Sequence, residues 1–386
     1  MGVVVKQVSV RMLAVAVVAA GSVAAVVPAD AVTAVVRPCA STFQAVKDNA
    51  PAFSGGPTGA IAPEGHDVWV VGNDAEPNEP AARHWDGTSW TKVSLPNTGT
   101  GDRLQGVSGA APDDLWAVGS SNTNQILPRS TLVEHYDGTA WTMFPAAPAT
   151  MAFNELEGVA AVTPDDVWAV GDQGDGNFKR GGLAEHFNGK AWRTLPTPQD
   201  GGLLAGVSAV AGDIWAVGQV AIPNGQEAPR IEHSTGGPFT TVASPVPVGT
   251  LLAVTQTSPT DVWAVGEKGK SGPNNYELIE HYDGTSWTVA TTPQILGTTL
   301  TAVSAVTPTD VWAAGTTQGA TTNSVAILHW DGTAWTSVAP AVYPDAEFSA
   351  AWAITHSRSR VWVIGENQNQ RNVTPGETDT SQEHCA

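Results

Sequence analysis

Positive charge is what this 386-residue sequence has least of: 18 Lys and Arg stand against 37 Asp and Glu, a formal net charge of −19 at pH 7. Binding a phosphate backbone requires Lys and Arg gathered on one surface, and no such cluster occurs, so nucleic acid is excluded as a partner. The acidity serves solubility instead. Cysteine is nearly absent, with only Cys39 and Cys385. No apolar run reaches the roughly 20 residues a membrane-spanning helix needs, because the stretch 12–27 is closed by Pro28 and Asp30. Catalytic signatures are missing as well: there is no G-x-S-x-G elbow, no H-E-x-x-H and no Gly-rich phosphate loop. A carboxylate pair for glycoside hydrolysis would leave no local motif, since its members come from separate strands.

The beginning of the chain reads as an export signal. Lys6 and Arg11 make a basic start, the apolar stretch follows, and Ala29-Asp30-Ala31 is a small-x-small cleavage site. Residues 1–31 are therefore expected to be a signal peptide and the mature chain, 32–386, to be secreted with no membrane span. Val35-Val36-Arg37-Pro38 before Cys39 lacks the small residues that precede a lipidated cysteine.

What the sequence has in quantity is a repeat. A D-[VI]-W-like unit places Trp69, Trp116, Trp168, Trp215, Trp263, Trp312 and Trp362 at intervals of 47 to 52 residues, and a second aromatic follows six of them after 21 to 25 residues. Each copy parses into four short strands, in the sixth 300–306, 311–314, 325–330 and 334–338. Pro308-Thr309-Asp310 turns the chain between the first two, and Asp331-Gly332-Thr333 supplies the tight hairpin between the last two. The second strand, Val-Trp-Ala-Ala, is apolar on both sides, which predicts a sheet buried between neighbouring sheets. Four strands repeated every ~49 residues describe a β-propeller blade. No 3.6-residue apolar period survives the Gly and Pro punctuation, so helical repeats are excluded.

Seven copies predict seven blades. The last copy ends at Glu383-His384-Cys385-Ala386, where a third strand should finish, and Ser41-Thr42-Phe43-Gln44-Ala45-Val46 resembles the missing fourth strand. The expectation is that residues about 39–47 complete the seventh blade and close the ring, with Cys39 and Cys385 bonded across the join, since export favours oxidation.

Recurrence sorts the residues. His84, His135, His186, His233, His281, His329 and His384 fall at one third-strand position, and seven equivalent positions cannot form one metal site. Those His and the repeated Asp67, Asp114, Asp166, Asp213, Asp261 and Asp310 read as framework, the Asp as turn formers. Function should sit where copies differ, on the face carrying the links between second and third strands and between blades, because binding residues concentrate on loops held by a rigid scaffold. The candidate ligand-face residues are Arg103, Arg129, Asp172, Asp175, Phe178, Arg180 and Tyr276, with Lys179 and Arg230 on the same face. Phe178 and Tyr276 offer rings for stacking on sugars. The run Asp172 to Asn177 has the flavour of a calcium loop but lacks the D-x-D-x-D-G spacing and distal Glu of an EF-hand, so no cofactor is assigned. Asp102, Glu155 and Glu157 lie near blade entrances and are the carboxylates available to an enzyme.

The units Asp261-Val262-Trp263-Ala264-Val265-Gly266 and His329-Trp330-Asp331-Gly332-Thr333-Ala334-Trp335 resemble repeats of secreted actinobacterial and myxobacterial propeller proteins. They are distantly similar to kelch repeats and to the BNR or Asp-box repeat of sialidases. The resemblance covers about residues 57 to 365 and implies fold rather than activity. Asp283-Gly284 lacks the residue an Asp-box puts between Asp and Gly, no sialidase-like Arg triad can be assigned, and one Gly stands where kelch blades carry two. The fourth copy departs from its siblings with Ser234-Thr235-Gly236-Gly237-Pro238-Phe239. The expected function is a monomeric, non-catalytic binding or scaffold module for a glycan or other cell-surface partner; the alternative is a polysaccharide hydrolase or lyase.

Overall fold

The computed structural model describes residues 43–46, 56–64, 67–74, 79–96, 101–122, 128–149, 151–175, 180–223, 225–269, 272–320, 322–340, 347–357, 360–368 and 379–385. The chain divides into two units, Met1–Pro38 and Cys39–Ala386, and every described residue belongs to the second. The expected signal segment and Cys39 lie outside the described residues, as does the side chain of Cys385.

The fold is an all-β propeller of four-stranded antiparallel blades. Six complete blades occupy 57–93, 103–143, 153–195, 202–242, 249–289 and 298–337, each ordered simply first to fourth strand. A seventh sheet contains Glu347–Ser357, Arg360–Gln368 and Asp379–Cys385, and the short strand Gln44–Val46 pairs with the last of these, Gln44 opposite Glu383. The first three strands of the sixth blade run further than the repeat pattern predicts, to Thr298–Thr307, Asp310–Thr317 and Ser324–Trp330, while the fourth is shorter, Trp335–Ser337.

The core lies between sheets. Each second-strand Trp reaches into the next blade and meets the aromatic of its last strand: Trp69 on Trp141, Trp116 on Trp192, Trp168 on Phe239, Trp215 on Trp287 and Trp263 on Trp335, with ring centroids 5.3 to 6.2 Å apart. These contacts are edge-on, the arrangement the ring quadrupole favours. Trp312 meets Phe43 in the same way at 5.7 Å. The seventh sheet thus packs on the sixth blade through Phe43, Ile354 and Val363, and on the first through Trp362 against Val70 and Trp90.

The recurring His packs on the Trp of its own blade with ring centroids 3.9 to 4.2 Å apart in the first six, stacked in four of them and tilted by 35° and 31° in the second and fourth. Its Nε2 is bonded to the recurring Asp, for example His135 to Asp114 at 2.7 Å and His329 to Asp310 at 2.8 Å. Those Asp, expected as turn formers, act as acceptors for the His and, in the third, fourth and sixth blades, for the Trp indole. The Asp of the last hairpin forms the turn itself: Asp331 accepts from the backbone N–H of Thr333 and Ala334 at 2.8 and 2.9 Å.

His384 breaks the expected equivalence. In the seventh sheet Trp362 pairs with Glu383 and His384 with Val361, a one-residue slip against the six siblings, where Trp pairs with His. A slip of one exchanges the faces of a strand. The anchoring acceptor is missing: Arg360 stands where the other copies place the Asp.

The residue before the His is also buried in several blades, as Glu134, Glu185, Glu232 and Glu280. Three of them hold nearby donors, Thr131 on Glu185, Arg230 on Glu232 and Ser244 on Glu280. Neither oxygen of Glu134 has a hydrogen-bond partner among the described residues.

Candidate functional site

The first strands of neighbouring sheets pack on one another along the inner edge of the propeller. Their contact is backbone to backbone, and it needs small residues: a Cβ on Gly106 would stand 3.0 Å from the Glu157 carbonyl, and one on Gly158 3.2 Å from that of Ala205. Just before this small residue every first strand carries a bulge, so that one residue is left out of the ladder. These are Thr58, Gln105, Glu157, Ala205, Leu252, Thr301 and Trp352. Bulges re-aim a side chain and free it from pairing. All seven are half-buried or exposed, and they reach one another around the edge. The Thr58 hydroxyl donates to the Leu104 carbonyl and Thr301 to that of Ala351, each in the next sheet, while Gln105 donates to the Glu157 carboxyl.

The bulge set is uneven. Thr58, Gln105 and Glu157 form a polar arc, followed by Ala205 and Leu252. Trp352 is 42% exposed, the one exposed Trp among the described residues.

Around Glu157 the polar arc deepens into a charged cluster. Glu155 sits two residues before Glu157, whose side chain the bulge re-aims, and Asp172 is the direct cross-strand partner of Glu155. The three carboxylates approach within 4.8 Å of one another. Like charges directly opposite destabilise a sheet, and two guanidinium groups offset them. Arg129 bonds Glu155 at 2.8 Å and Arg180 pairs with Asp172 at 3.2 Å. Ser120 adds a hydrogen bond to Glu155 at 3.0 Å. Both guanidinium groups lie over the Phe153 ring, at 5.2 and 4.8 Å, and cation–π attraction holds them in place. Arg129 is fixed further by its backbone, which exchanges hydrogen bonds with Ala152 and Asn154.

Burial pushes the Glu157 carboxyl up to about 7, with the charges of Glu155 and Asp172 adding to it. Asp172 rises to about 6, again through burial, with Arg180 opposing and Glu155 reinforcing. The cluster therefore holds two ion pairs, Arg129 with Glu155 and Arg180 with Asp172, beside a Glu157 whose carboxyl titrates near neutral pH. Three carboxylates are a plausible calcium donor set in kind. Here, though, two of them already hold guanidinium groups, which a cation would have to displace.

The structure brings Arg129, Asp172 and Arg180 together with Glu155 and Glu157. Asp172 is not in a loop: the second strand runs Asp166–Gly174, and Asp172 is 4% exposed and paired with Gly182. Asp175 is exposed just beyond that strand. Arg103 is exposed at the start of the second blade's first strand, opposite Ser120. Tyr276 is half-buried in the fifth blade, two blades round from the cluster, and is bridged to Leu296. Arg230 is buried between Asp200 and Glu232, at 2.6 and 2.8 Å. Asp102 is buried beside Glu134, with Glu155 elsewhere. Phe178 and Lys179 lie outside the described residues.

Sequence reasoning missed Trp352, Gln105, Ser120 and Phe153. A signal existed for the first two. The bulge residue always falls ten or eleven positions before the repeat Trp, and that position varies most freely from Thr to Gln, Glu, Ala, Leu and Trp.

No protein-family model matches this sequence, and no curated protein matches it. Solved propellers do match in shape. YCF48 from Cyanidioschyzon merolae superposes with a TM-score of 0.54 at 13% identity, over 89% of this chain and 98% of the other. The WD40 β-propeller domain of Doa1 gives 0.57 at 10% identity, over 88% and 95%. A polysaccharide lyase, PL25 ulvan lyase bound to -[GlcA(1-4)Rha3S]-, gives 0.57 at 9% identity, over 87% and 95%. At such identities the likeness shows the fold alone.

Proposed function

We propose that this chain is an exported, seven-bladed, carbohydrate-binding propeller that takes a neutral glycan at the inner edge of its long-link face. The ring is closed by 44–46 as the last strand of the seventh blade, and Cys39 and Cys385 are bonded across that join. The meeting of Phe43 with Trp312, which repeats the aromatic contact of the complete blades, supports closure. Intact mass of the secreted protein without reductant tests the bond: two free thiols would remove it.

The observation that carries the binding reading is the exposed Trp352 on the same bulge set as Glu157, Gln105 and Thr58. Sugars present an apolar C–H face and a rim of hydroxyls, and an aromatic plane with hydrogen-bonding groups across from it complements both. The glycan is neutral because Arg129 and Arg180 are already committed to Glu155 and Asp172 and the chain as a whole is strongly acidic. Retention of the secreted protein on insoluble neutral polysaccharides tests this. Trp352→Ala should release it and Arg103→Ala should not; equal retention of Trp352→Ala and wild type would overturn the reading.

One observation favours a second reading, acid–base catalysis on a polysaccharide. Glu157, raised to about 7, stands within 4.8 Å of Glu155 and Asp172, and a carboxyl held near neutrality is suited to general acid or base work. The same assay separates the two when it also scores soluble product. Product that disappears in Glu157→Gln would establish catalysis, and retention without product would establish binding.

A further inference from the structure

Away from the inner edge, a groove runs between the fifth and sixth blades beside the Asp331 turn. A cavity of about 440 Å³ opens there, lined chiefly by Trp263, His281, Ala290, Trp330 and Trp335. Its volume falls in the roughly 300–1,000 Å³ span of small-ligand sites.

The groove between the second and third blades shows why it is open. There Phe144 fills the corresponding space, its ring 5.0 Å from Trp116, 6.2 Å from His135 and 5.2 Å from Phe187. The repeat equates those three residues with Trp263, His281 and Trp330, and equates Phe144 with Ala290. The backbones agree: Phe144 donates to Val133 and Ala290 to Ile279, both at 2.9 Å. Ala290 is the smallest residue at this position, where the other blades carry Val93, Phe144, Leu195, Val242 and Val338. The cavity is thus a groove that a six-membered ring fills between the second and third blades and that Ala290 leaves open here.

We propose that this cleft binds one pyranose ring of a neutral saccharide, seated on the half-buried face of Trp330. No Asp, Glu, Lys or Arg lines the cavity, so the ligand is uncharged. His281 is already bonded through Nε2 to Asp261 at 2.7 Å. Exposed Thr291 and Thr333 put hydroxyls at the edge of the aromatic surface, where an amphipathic sugar finds partners and a plain hydrocarbon ring does not. The cleft and the inner-edge site stand on one scaffold, so a polymer long enough to reach both gains from the second contact being intramolecular.

The test uses the full chain carrying Trp352→Ala, which silences the inner edge, and soluble gluco-, xylo- and manno-hexasaccharides, read by calorimetry and Trp fluorescence. Saccharide binding should persist in that background and weaken tenfold or more on adding Ala290→Phe. Ala290→Val, which installs the residue of three sibling blades and so leaves the fold intact, should weaken it less. Phe144→Ala should raise the stoichiometry by one. Affinity unchanged by Ala290→Phe, no saccharide binding in the Trp352→Ala background, or a cleft that takes p-cresol and no saccharide would each overturn the assignment. Failure of Trp352→Ala to alter polysaccharide retention would sink the inner-edge reading and leave this one standing.

Discussion

The same side-chain types, a carboxylate beside an aromatic and a cation or His, appear in two regions of this molecule with opposite consequences. In the outer belt Asp, His and Trp recur blade after blade, as in Asp166, His186 and Trp168. There the His bonds the Asp in blade after blade, and in the third blade His186 and the Trp168 indole both bond the Asp166 carboxylate at 2.8 Å, although the Trp69, Trp116 and Trp263 indoles have no partner among the described residues. At the inner edge Glu155 and Glu157 occur in one copy only, converge with Asp172, and are only partly satisfied. A repeated polar group can be matched once and copied with its partner, so it ends as framework. A group found in one copy has no such inherited partner, and its chemistry is left over for something else.

The comparison breaks most sharply between two tryptophans. Trp168 is 3% exposed and Trp352 is 42% exposed. Trp168→Ala should lower the unfolding free energy by about 3–5 kcal/mol, the range for truncating a buried aromatic. Trp352→Ala should stay within about 0.5 kcal/mol of wild type in the same denaturant titration while losing polysaccharide. A large destabilisation by Trp352→Ala would make it framework too.

The next effect probes the cluster itself. Arg129→Ala leaves Glu155 facing Asp172 across the strands, and breaking a largely buried ion pair from one side costs on the order of 3 kcal/mol. The double variant Arg129→Ala/Glu155→Ala should recover most of that loss, because the two effects are coupled rather than additive. Chemical denaturation of all three variants measures it; additive losses would mean that the pair does not hold the cluster.

The fold was largely legible in the sequence because burial between sheets forces the same pattern on every copy. The apolar Val-Trp-Ala strand, the Asp-Gly-Thr turn and the spacing of the Trp each encode a local requirement. The partnership of His with Asp was not legible: Asp310 looks like part of a turn, and only the register that lays His329 beside Trp312 shows what else it does. The site was half legible. Arg129, Asp172 and Arg180 stood out as departures between copies, but their convergence with Glu155 depends on cross-strand register. Glu157 and Trp352 depend on a bulge, which shifts which residues share a face and leaves no residue type as its mark. His384 shows the opposite failure, a repeated letter without its Asp and hence without the register.

Acidity, by contrast, is shared by the two regions. Burial raises Glu134 to about 8, with Asp102 adding to it, and raises Glu185 and Glu280 to about 7; Glu157 rises to about 7 and Asp172 to about 6. Each folded value exceeds the ordinary carboxyl value, so the folded state binds more protons than the unfolded chain. Stability from these groups is fully present below about 4.5 and is lost as pH rises through 6 to 8. The melting temperature should therefore fall between pH 5 and pH 8. Glu134→Gln should remove one group's share, a slope of at most about 1.4 kcal/mol per pH unit. A slope unchanged in Glu134→Gln would mean that this carboxyl is ionised in the folded protein. On the acid side Asp86 and Asp331, held down to about 2 chiefly by the hydroxyls of Thr88 and Thr333, lose their contribution as pH falls below the ordinary carboxyl range, a small effect because both lie in solvent.

The smallest effect falls on the belt's outermost turns. Asp283 accepts the N–H of Thr285 and Ser286 at 2.9 and 3.0 Å. In the fourth blade a hydroxyl does related work, with Gly236 donating to Ser234 at 3.1 Å and Ser234 to Gly237 at 2.7 Å. A carboxylate is therefore one of two solutions to the same turn, and its charge lies in solvent where little depends on it. Asp283→Ser should leave the melting curve near neutral pH almost superimposable on wild type, and should leave polysaccharide retention unchanged. Asp283→Ala, which removes the acceptor rather than exchanging it, should shift the curve measurably further than Asp283→Ser does. If the two variants melt alike, the side chain contributes nothing to the turn, and Gly284 at φ +88° carries the hairpin alone.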